Sequence, residues 1–314
     1  MPRESFPIGN VRVRPGTARD VELPITRLVT GADIALPVRV LHGRDDGPVI
    51  WFDAAIHGDE VVGIEVIHQL LDTLSAKTLR GTVIAVPIVN VLGFLSGDRY
   101  LPDRRDLNRS FPGSARGSLA SRVAHLMITE VIAKCEVGID LHTGSDGRSN
   151  LPQIRADLDD PRTRELAEVF GAPVMLHSKL RDGSLRWAAR ERGATVLVYE
   201  AGEPWRMDAW AIDAGVAGVL RVLAALDMID PVEAADRPSR ECRTSGWVRA
   251  RRTGLLRLDC ELGQEVTEGE RLGGVYDSFG RTQRLVYADR TGVVIGRTKV
   301  PLVNSGDALV HIGV

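Results

Sequence analysis

Residues 48–74, PVIWFDAAIHGDEVVGIEVIHQLLDTL, change their hydrophobic period halfway along. Pro48–Ala55 is a nearly continuous apolar run with the length of a buried strand. From Glu60 onward the apolar residues Val61, Ile64, Val66, Ile67, Leu70, Leu71 and Leu74 recur at helical spacing. The stretch therefore predicts a strand that feeds a helix, and the reactive residues His57, Asp59 and Glu60 fall at the junction.

Moving outward, the same alternation continues. Upstream, 36–42 (LPVRVLH) is a second strand-like run, and Asp45-Asp46-Gly47-Pro48 punctuates the two like a turn. Downstream, Gly81 resets the chain and 82–89 (TVIAVPIV) reads as a buried strand. Residues 90–117 are rich in Gly, Pro, Asp and Arg without a clear period, and a loop of that length inside a compact domain is usually functional. The pattern then predicts a helix at about 119–134, a strand at 137–141, a Gly/Ser/Asn-rich loop at 142–157, a helix at 160–170, a strand at 173–177, a helix at 184–192, a strand at 195–199 and a long helix at about 205–227. Such alternation predicts an α/β fold: a mixed, largely parallel sheet with helices on both faces.

After Asp230-Pro231 the pattern changes. Residues 231–241 are charged and carry two prolines, like a linker. From 245 onward only short strand-like pieces remain (246–251, 254–259, 270–276, 284–288, 292–298 and 308–312), separated by glycines. The expectation is a catalytic domain over 1–235, with a strand-rich lead-in, and a small all-β barrel or sandwich over 236–314.

The bulk numbers exclude several classes. The chain has 314 residues, 44% apolar and 26% charged, with a formal net charge of −2. Charges of both signs are mixed along it, so there is no electrostatic footprint for nucleic acid. No run of 18 apolar residues exists and the N-terminus has no apolar signal core, so neither a membrane span nor export is expected. Cys135, Cys242 and Cys260 are odd in number and far apart, as free thiols in a reducing compartment are. The expected location is the cytoplasm. Homo-oligomerisation is left open.

In open α/β sheets ligands collect beyond the carboxyl ends of the strands. His57 follows strand 48–55, His142 follows strand 137–141, and Glu200 follows strand 195–199. His57 and Glu60, three apart across a first helical turn, can bring an imidazole and a carboxylate to one point. With His142 they make a two-histidine, one-carboxylate set with a fourth position open, a donor set suited to catalytic zinc. Structural readings stay open beside this one. His57 can be a core histidine, Glu60 an acidic residue favouring a helix N-terminus, and Asp59 the ligand in its place. Glu200, at the end of an apolar strand, suits general-base and then general-acid duty. A salt-bridged or helix-capping glutamate is the alternative.

Taken in order, His57-Gly58-Asp59-Glu60, Asp106-Leu107-Asn108-Arg109, Asp140-Leu141-His142-Thr143 and Tyr199-Glu200-Ala201-Gly202 resemble the succinylglutamate desuccinylase/aspartoacylase family of the zinc carboxypeptidase clan. The match runs across about residues 35–230, and the C-terminal strands also resemble the family's layout. The resemblance implies a zinc carboxypeptidase-like fold and one zinc per chain, with His57, Glu60 and His142 as its ligands. It implies that Glu200 takes a proton from the attacking water and passes it to the leaving amine, and that Arg99 polarises the scissile carbonyl. It also implies that Asn108 and Arg109 grip a substrate carboxylate.

Two further arginines are candidates by position. Arg155 trails His142 and can read a second charged group, or it can pair with Asp157 or Asp159. Arg186 precedes Glu200 and can read a carboxylate, or it can be a helix-surface residue. The expected function is a zinc-dependent amidohydrolase, a deacylase of N-acyl amino acids or related small amides bearing a carboxylate. The alternatives are a metallocarboxypeptidase or amidase on short or γ-glutamyl-type peptides, and a zinc-binding protein without catalysis. The C-terminal strands also resemble biotinyl/lipoyl-type barrels, but Lys299 lacks the context of a carrier lysine.

Overall fold

The run Val49–Ala54 forms the centre of the molecule because it is buried on both faces. Ile50, Phe52 and Ala54 point to one side, Trp51 and Asp53 to the other, and all five are at most 1% exposed. A strand covered on both sides needs no polar alternation, which is why it reads as one apolar run. The computed structural model describes residues 3–314.

The lead-in is a short antiparallel ribbon, β1 (Phe6–Ile8) and β2 (Val11–Val13), followed by the long antiparallel pair β3 (Thr17–Arg27) and β4 (Asp33–His42). The central strand β5 (Asp45–Ala54) leads to α1 (Val62–Thr73) and then β6 (Arg80–Val86). Inside the 90–117 segment lie α2 (Val91–Ser96) and a 3-10 turn at Leu107–Arg109. The helix expected at 119–134 is present, but only α3 (Leu119–Leu126) is regular. A π-turn at Met127–Val131 and a 3-10 turn at Ile132–Lys134 complete it.

Next come β7 (Val137–His142), β8 (Arg148–Ala156), α4 (Pro161–Phe170), β9 (Val174–His177), α5 (Leu185–Arg190), β10 (Thr195–Gly202) and α6 (Ala209–Ala225). The start of α4 shows the local logic. Asp160 accepts from Thr163 N at 2.8 Å, and Pro161 fills the first helical position, where no N–H is required. The loop expected over 142–157 is corrected here: most of it is β8. Its sequence, RSNLPQIRA, hides the strand behind a proline and several polar residues.

The C-terminal part comprises β11 (Arg240–Cys242), β12 (Ser245–Arg249), β13 (Gly254–Leu258), β14 (Glu265–Val266), β15 (Arg271–Tyr276), β16 (Thr282–Tyr287), β17 (Gly292–Thr298), β18 (Leu302–Val303) and β19 (Ala308–Gly313). Among the described residues a 13-stranded sheet has the order β12-β19-β17-β8-β10-β7-β5-β6-β4-β3, with β9, β11 and β14 branching from it. Its centre, β10-β7-β5-β6, is parallel. Strands β15, β16, β13 and β18 form a separate small sheet. The C-terminal strands therefore continue the main sheet through β17, which is antiparallel to β8.

Helices cover both faces of the central sheet. One core gathers Phe52, Ile67, Leu70, Phe170, Tyr199 and Val219, and the other gathers Trp51, Ile84, Met127, Ile128, Leu185 and Val196. A smaller core of Leu256, Leu272, Val294 and Ile312 fills the C-terminal part. Cys135, Cys242 and Cys260 are free thiols.

Candidate metal centre and catalytic cleft

The carboxyl ends of β5, β7 and β10 meet at one rim of the sheet. Glu200 on β10 lies directly opposite His142 on β7, and Ala54, three residues before His57, lies opposite Leu141. The turn after β5 is constrained. Ala55 has a left-handed φ of 51°, and Asn90 N donates to its carbonyl at 2.8 Å. Backbone strain held in this way clusters at functional sites.

Gly58 has no substitute, because a Cβ there would stand 2.3 Å from the backbone of Gly93 and Phe94. That close approach lets Gly58 N donate to the Arg99 carbonyl at 3.2 Å, which brings Arg99 to the site. The sequence reading put Glu60 inside a helix. It lies instead in a turn ahead of α1, closed by Glu60 N donating to His57 O at 3.1 Å. The convergence survives because a tight turn also brings residues three apart together.

The three expected ligands do come together. His57 Nδ1 lies 2.9 Å from Glu60 Oε1, and His142 Nδ1 lies 2.6 Å from Glu60 Oε2. One ligand atom from each residue falls within 4.8 Å of the other two, and all three residues are buried. His57 Nδ1 is buried and makes no hydrogen bond.

The opposite ring nitrogens meet carboxylates. His57 Nε2 is 3.2 Å from Asp106 Oδ1, and His142 Nε2 is 2.8 Å from Asp140 Oδ1. Each imidazole thus has a carboxylate close behind it while Nδ1 faces a common point, the arrangement found behind metal-holding histidines. These residues fit a divalent cation, and two nitrogens with one carboxylate match the preferences of zinc.

The electrostatics agree. Burial alone would raise the Glu60 carboxyl, but His57 and His142 outweigh it and hold it well below the usual carboxylate range. Burial would lower both imidazoles. Glu60 and Asp106 instead raise His57, and Asp140 and Glu60 raise His142 well above its ordinary value. A bound cation would take over the positive role that the histidines fill here. Behind them, Asp53 faces Asp140 across β5 and β7, and Trp51 Nε1 donates to Asp53 Oδ1 at 2.7 Å. Burial first, and Asp140 second, push the Asp53 carboxyl well up.

The ligands open onto a cleft of about 260 Å³ that is also lined by Arg99, Asn108, Arg109, Arg148, Asn150, Arg155, Glu200 and Trp247. Larger grooves lie elsewhere, one of about 470 Å³ around Arg221 and Val232, but its lining carries no histidine, and Glu168 is its one carboxylate. Arg99 donates to Glu60 Oε1 at 2.5 Å and lies 3.0 Å from His57 Nε2. Asn108 uses its carbonyl oxygen to accept from Leu185 N at 2.9 Å, and Arg109 donates to the Asn108 backbone carbonyl.

Glu200 Oε2 accepts from Asn150 Nδ2 at 2.7 Å and lies 3.2 Å from Arg155 Nη2. Arg155 thus pairs with Glu200 and not with Asp157 or Asp159. Arg186 is not among the residues lining the cleft. Its guanidinium donates to the carbonyls of Arg155 and Lys179 and to Ser178 Oγ, behind β8.

The C-terminal strands add Trp247, on β12, to the lining of the cleft. Arg148 lies over the Trp247 ring at 5.2 Å, and Trp247 stacks on His311 at 4.5 Å. Sequence reasoning gave no role to Asp140, Asp106, Asn150, Arg148 or Trp247. Asp140 had a local signal, since an acidic residue two before a strand histidine shares its face. Trp247 had none, because only tertiary pairing brings it to the cleft.

Residues 46–226 match the succinylglutamate desuccinylase/aspartoacylase catalytic domain. The N-alpha-acetyl-L-2,4-diaminobutyric acid deacetylase of Halomonas elongata is 29% identical over 297 residues, covering 89% of this chain and 85% of that protein. A succinylglutamate desuccinylase of Pseudomonas aeruginosa is 32% identical over 194 residues, covering 57% of this chain and 58% of that protein. The solved, product-bound ectoine utilization protein of Ruegeria pomeroyi superposes with a TM-score of 0.86 at 25% identity, covering 100% of this chain and 98% of that one.

Proposed function

Because the chain belongs to the succinylglutamate desuccinylase/aspartoacylase family, we propose that it hydrolyses the amide bond of a small N-acyl amino acid with the help of one zinc ion. The observation that carries this reading is the convergence of His57, Glu60 and His142 on one point, beside Glu200 and a row of guanidinium groups. The likeness to an N-acetyl-diaminobutyrate deacetylase over 89% of the chain supports the substrate class.

A zinc ion at that point supplies a Lewis acid for the carbonyl and brings the pKa of a water near neutrality. The remaining chemistry belongs to the chain. Asn108 and Arg109 hold the substrate carboxylate, the guanidinium offering a planar, two-pronged grip. Arg99 steadies the negative charge that develops on the carbonyl oxygen. Glu200 takes the proton of the attacking water and returns it to the leaving nitrogen. In this reading Arg155 steadies Glu200 and Arg186 braces β8, so neither reads the substrate.

The cleft of about 260 Å³ favours a small molecule over a polypeptide. Arg109 and Arg148, which also line it, suit a carboxylate-bearing partner. Among the described residues no helix is long and apolar enough to cross a membrane.

The test pairs metal content with a substrate panel. The wild type and His142→Ala are purified, assayed for bound metal, and offered N-acetyl-L-2,4-diaminobutyrate, other N-acetyl, N-succinyl and N-formyl amino acids, and dipeptides. The expected result is about one zinc per chain and hydrolysis of N-acyl amino acids, both lost in the variant. A wild type that binds no metal and stays inactive after zinc is added overturns the reading. Preference for dipeptides would favour a carboxypeptidase.

A further inference from the structure

We propose that Asn150 is the positioning residue of Glu200 and that the C-terminal strands hold it there through Gly296. The proposal rests on the reading of Glu200 as the proton carrier and adds to it.

The argument begins with register. Glu200 pairs with Gln153 across β10 and β8. Side chains alternate along a strand, so unbroken pairing would place Gln153 and Arg155 on the face of Glu200 and Asn150 on the other. The register shifts between Glu200 and Gly202, and Gly202 pairs with Asn150. Two steps on β10 are matched by three on β8, and this extra residue turns Asn150 onto the catalytic face. Pro152 lies inside the shift, where a missing N–H costs little.

The outcome is a buried carboxamide, 3% exposed, whose Nδ2 donates to Glu200 Oε2 at 2.7 Å. Arg155 approaches the same oxygen at 3.2 Å. Among the described residues no donor reaches Oε1. One oxygen is pinned and the other is left for the proton.

The carboxamide is held from its far side. Gly296 of β17 pairs with Asn150 on one side and with His311 of β19 on the other, at a second register shift. A Cβ on Gly296 would stand 2.8 Å from Asn150 Oδ1. The backbone of Gly296 is outside the left-handed region, so alanine there leaves the strand intact and displaces the carboxamide. The bare edge at Gly296 is the room in which Asn150 turns its oxygen away and its NH2 toward Glu200.

The experiment measures kcat and KM of the zinc-loaded enzyme on N-acetyl-L-2,4-diaminobutyrate for Asn150→Ala, Gly296→Ala, their double variant, Asn150→Asp and Glu200→Gln. Bound metal and Tm are recorded for each. We expect kcat to fall by about 10- to 100-fold in the two alanine variants, with KM changed less than threefold and metal retained. The double variant should match Asn150→Ala alone, because both changes act through one contact. Asn150→Asp should move the acid limb of the kcat profile upward, since it sets a second carboxylate beside Glu200.

Independently of turnover, a crystal structure of Gly296→Ala should show the bond from Asn150 to Glu200 broken. A bond still intact there overturns the proposal. So does an Asn150→Ala kcat within twofold of wild type, or additive losses in the double variant, while Glu200→Gln is inactive. Full activity in Glu200→Gln would instead overturn the role of Glu200 itself.

Discussion

At the scale of single residues, the site is organised by carboxylates that stand behind its histidines. Asp140 stands behind His142 at 2.8 Å and Asp106 behind His57 at 3.2 Å. Their job is to hold each ring so that Nδ1 faces inward. Asp140→Ala should therefore leave all three ligands in place yet weaken metal binding by about 10- to 100-fold, as read by competition with a chelator. An unchanged affinity would mean that the imidazole is oriented by packing alone. The grouping of His57, Glu60 and His142 was legible in the sequence through strand-end placement taken together with the four ordered motifs, since spacing alone left structural readings open. Asn150 was not, because its place beside Glu200 depends on a register shift that no local pattern announces.

At the scale of elements, legibility followed burial. β5, β7 and β10 are covered on both faces, so their apolar runs declare them. β8 turns Asn150, Gln153 and Arg155 toward the cleft and the sheet interior, carries Pro152, and skips a register position. Function has overwritten its pattern, as happens where local rules yield to a site. The strand β19 carries a second consequence. His311 is 5% exposed, stacks on Trp247, and bonds Ser245 Oγ through Nε2 at 2.9 Å. Burial first, then Arg155, Arg290 and Arg148, push its pKa down to about 3.

In the unfolded chain a histidine titrates near 6.5, so between about pH 6.5 and 3 the unfolded state holds a proton that the folded state refuses. The contribution of His311 to stability is thus complete above about pH 6.5 and erodes as the pH falls. Urea unfolding at pH 7 and pH 5 should show that acidification costs the wild type about 1–2 kcal/mol more than His311→Gln. Equal losses in both proteins would place the proton elsewhere.

At the scale of the whole molecule, the sequence suggests two units, 1–235 and 236–314, but hydrogen bonding joins them. β17 pairs with β8 and β11 pairs with β9. Val174, Leu176, Cys242, Val293 and Ile295 share one small core, with Leu151 packed against it. Arg164 grips Glu241 through two hydrogen bonds of 2.7 and 3.0 Å. A fragment ending at residue 235 would bare that core and half the edge of β8, and unpaired apolar edges template aggregation. We expect the fragment to aggregate and to lose activity, as followed by soluble yield and size-exclusion chromatography. A soluble, monomeric, active fragment would show that the C-terminal strands are dispensable.

The pairing of β8 with β17 also sets a clock. Gln153 and its partner Ile295 are 142 positions apart. At roughly 5–20 residues per second of synthesis, the β8 edge leaves the ribosome on the order of ten seconds before the strand that covers it exists. For about the last two-thirds of that interval the nascent chain carries His57, Glu60, His142 and Glu200 but has nothing to seat Asn150. A ribosome that stalls within this window would leave a molecule with its cleft half built, and with an open edge exposed to every neighbouring chain.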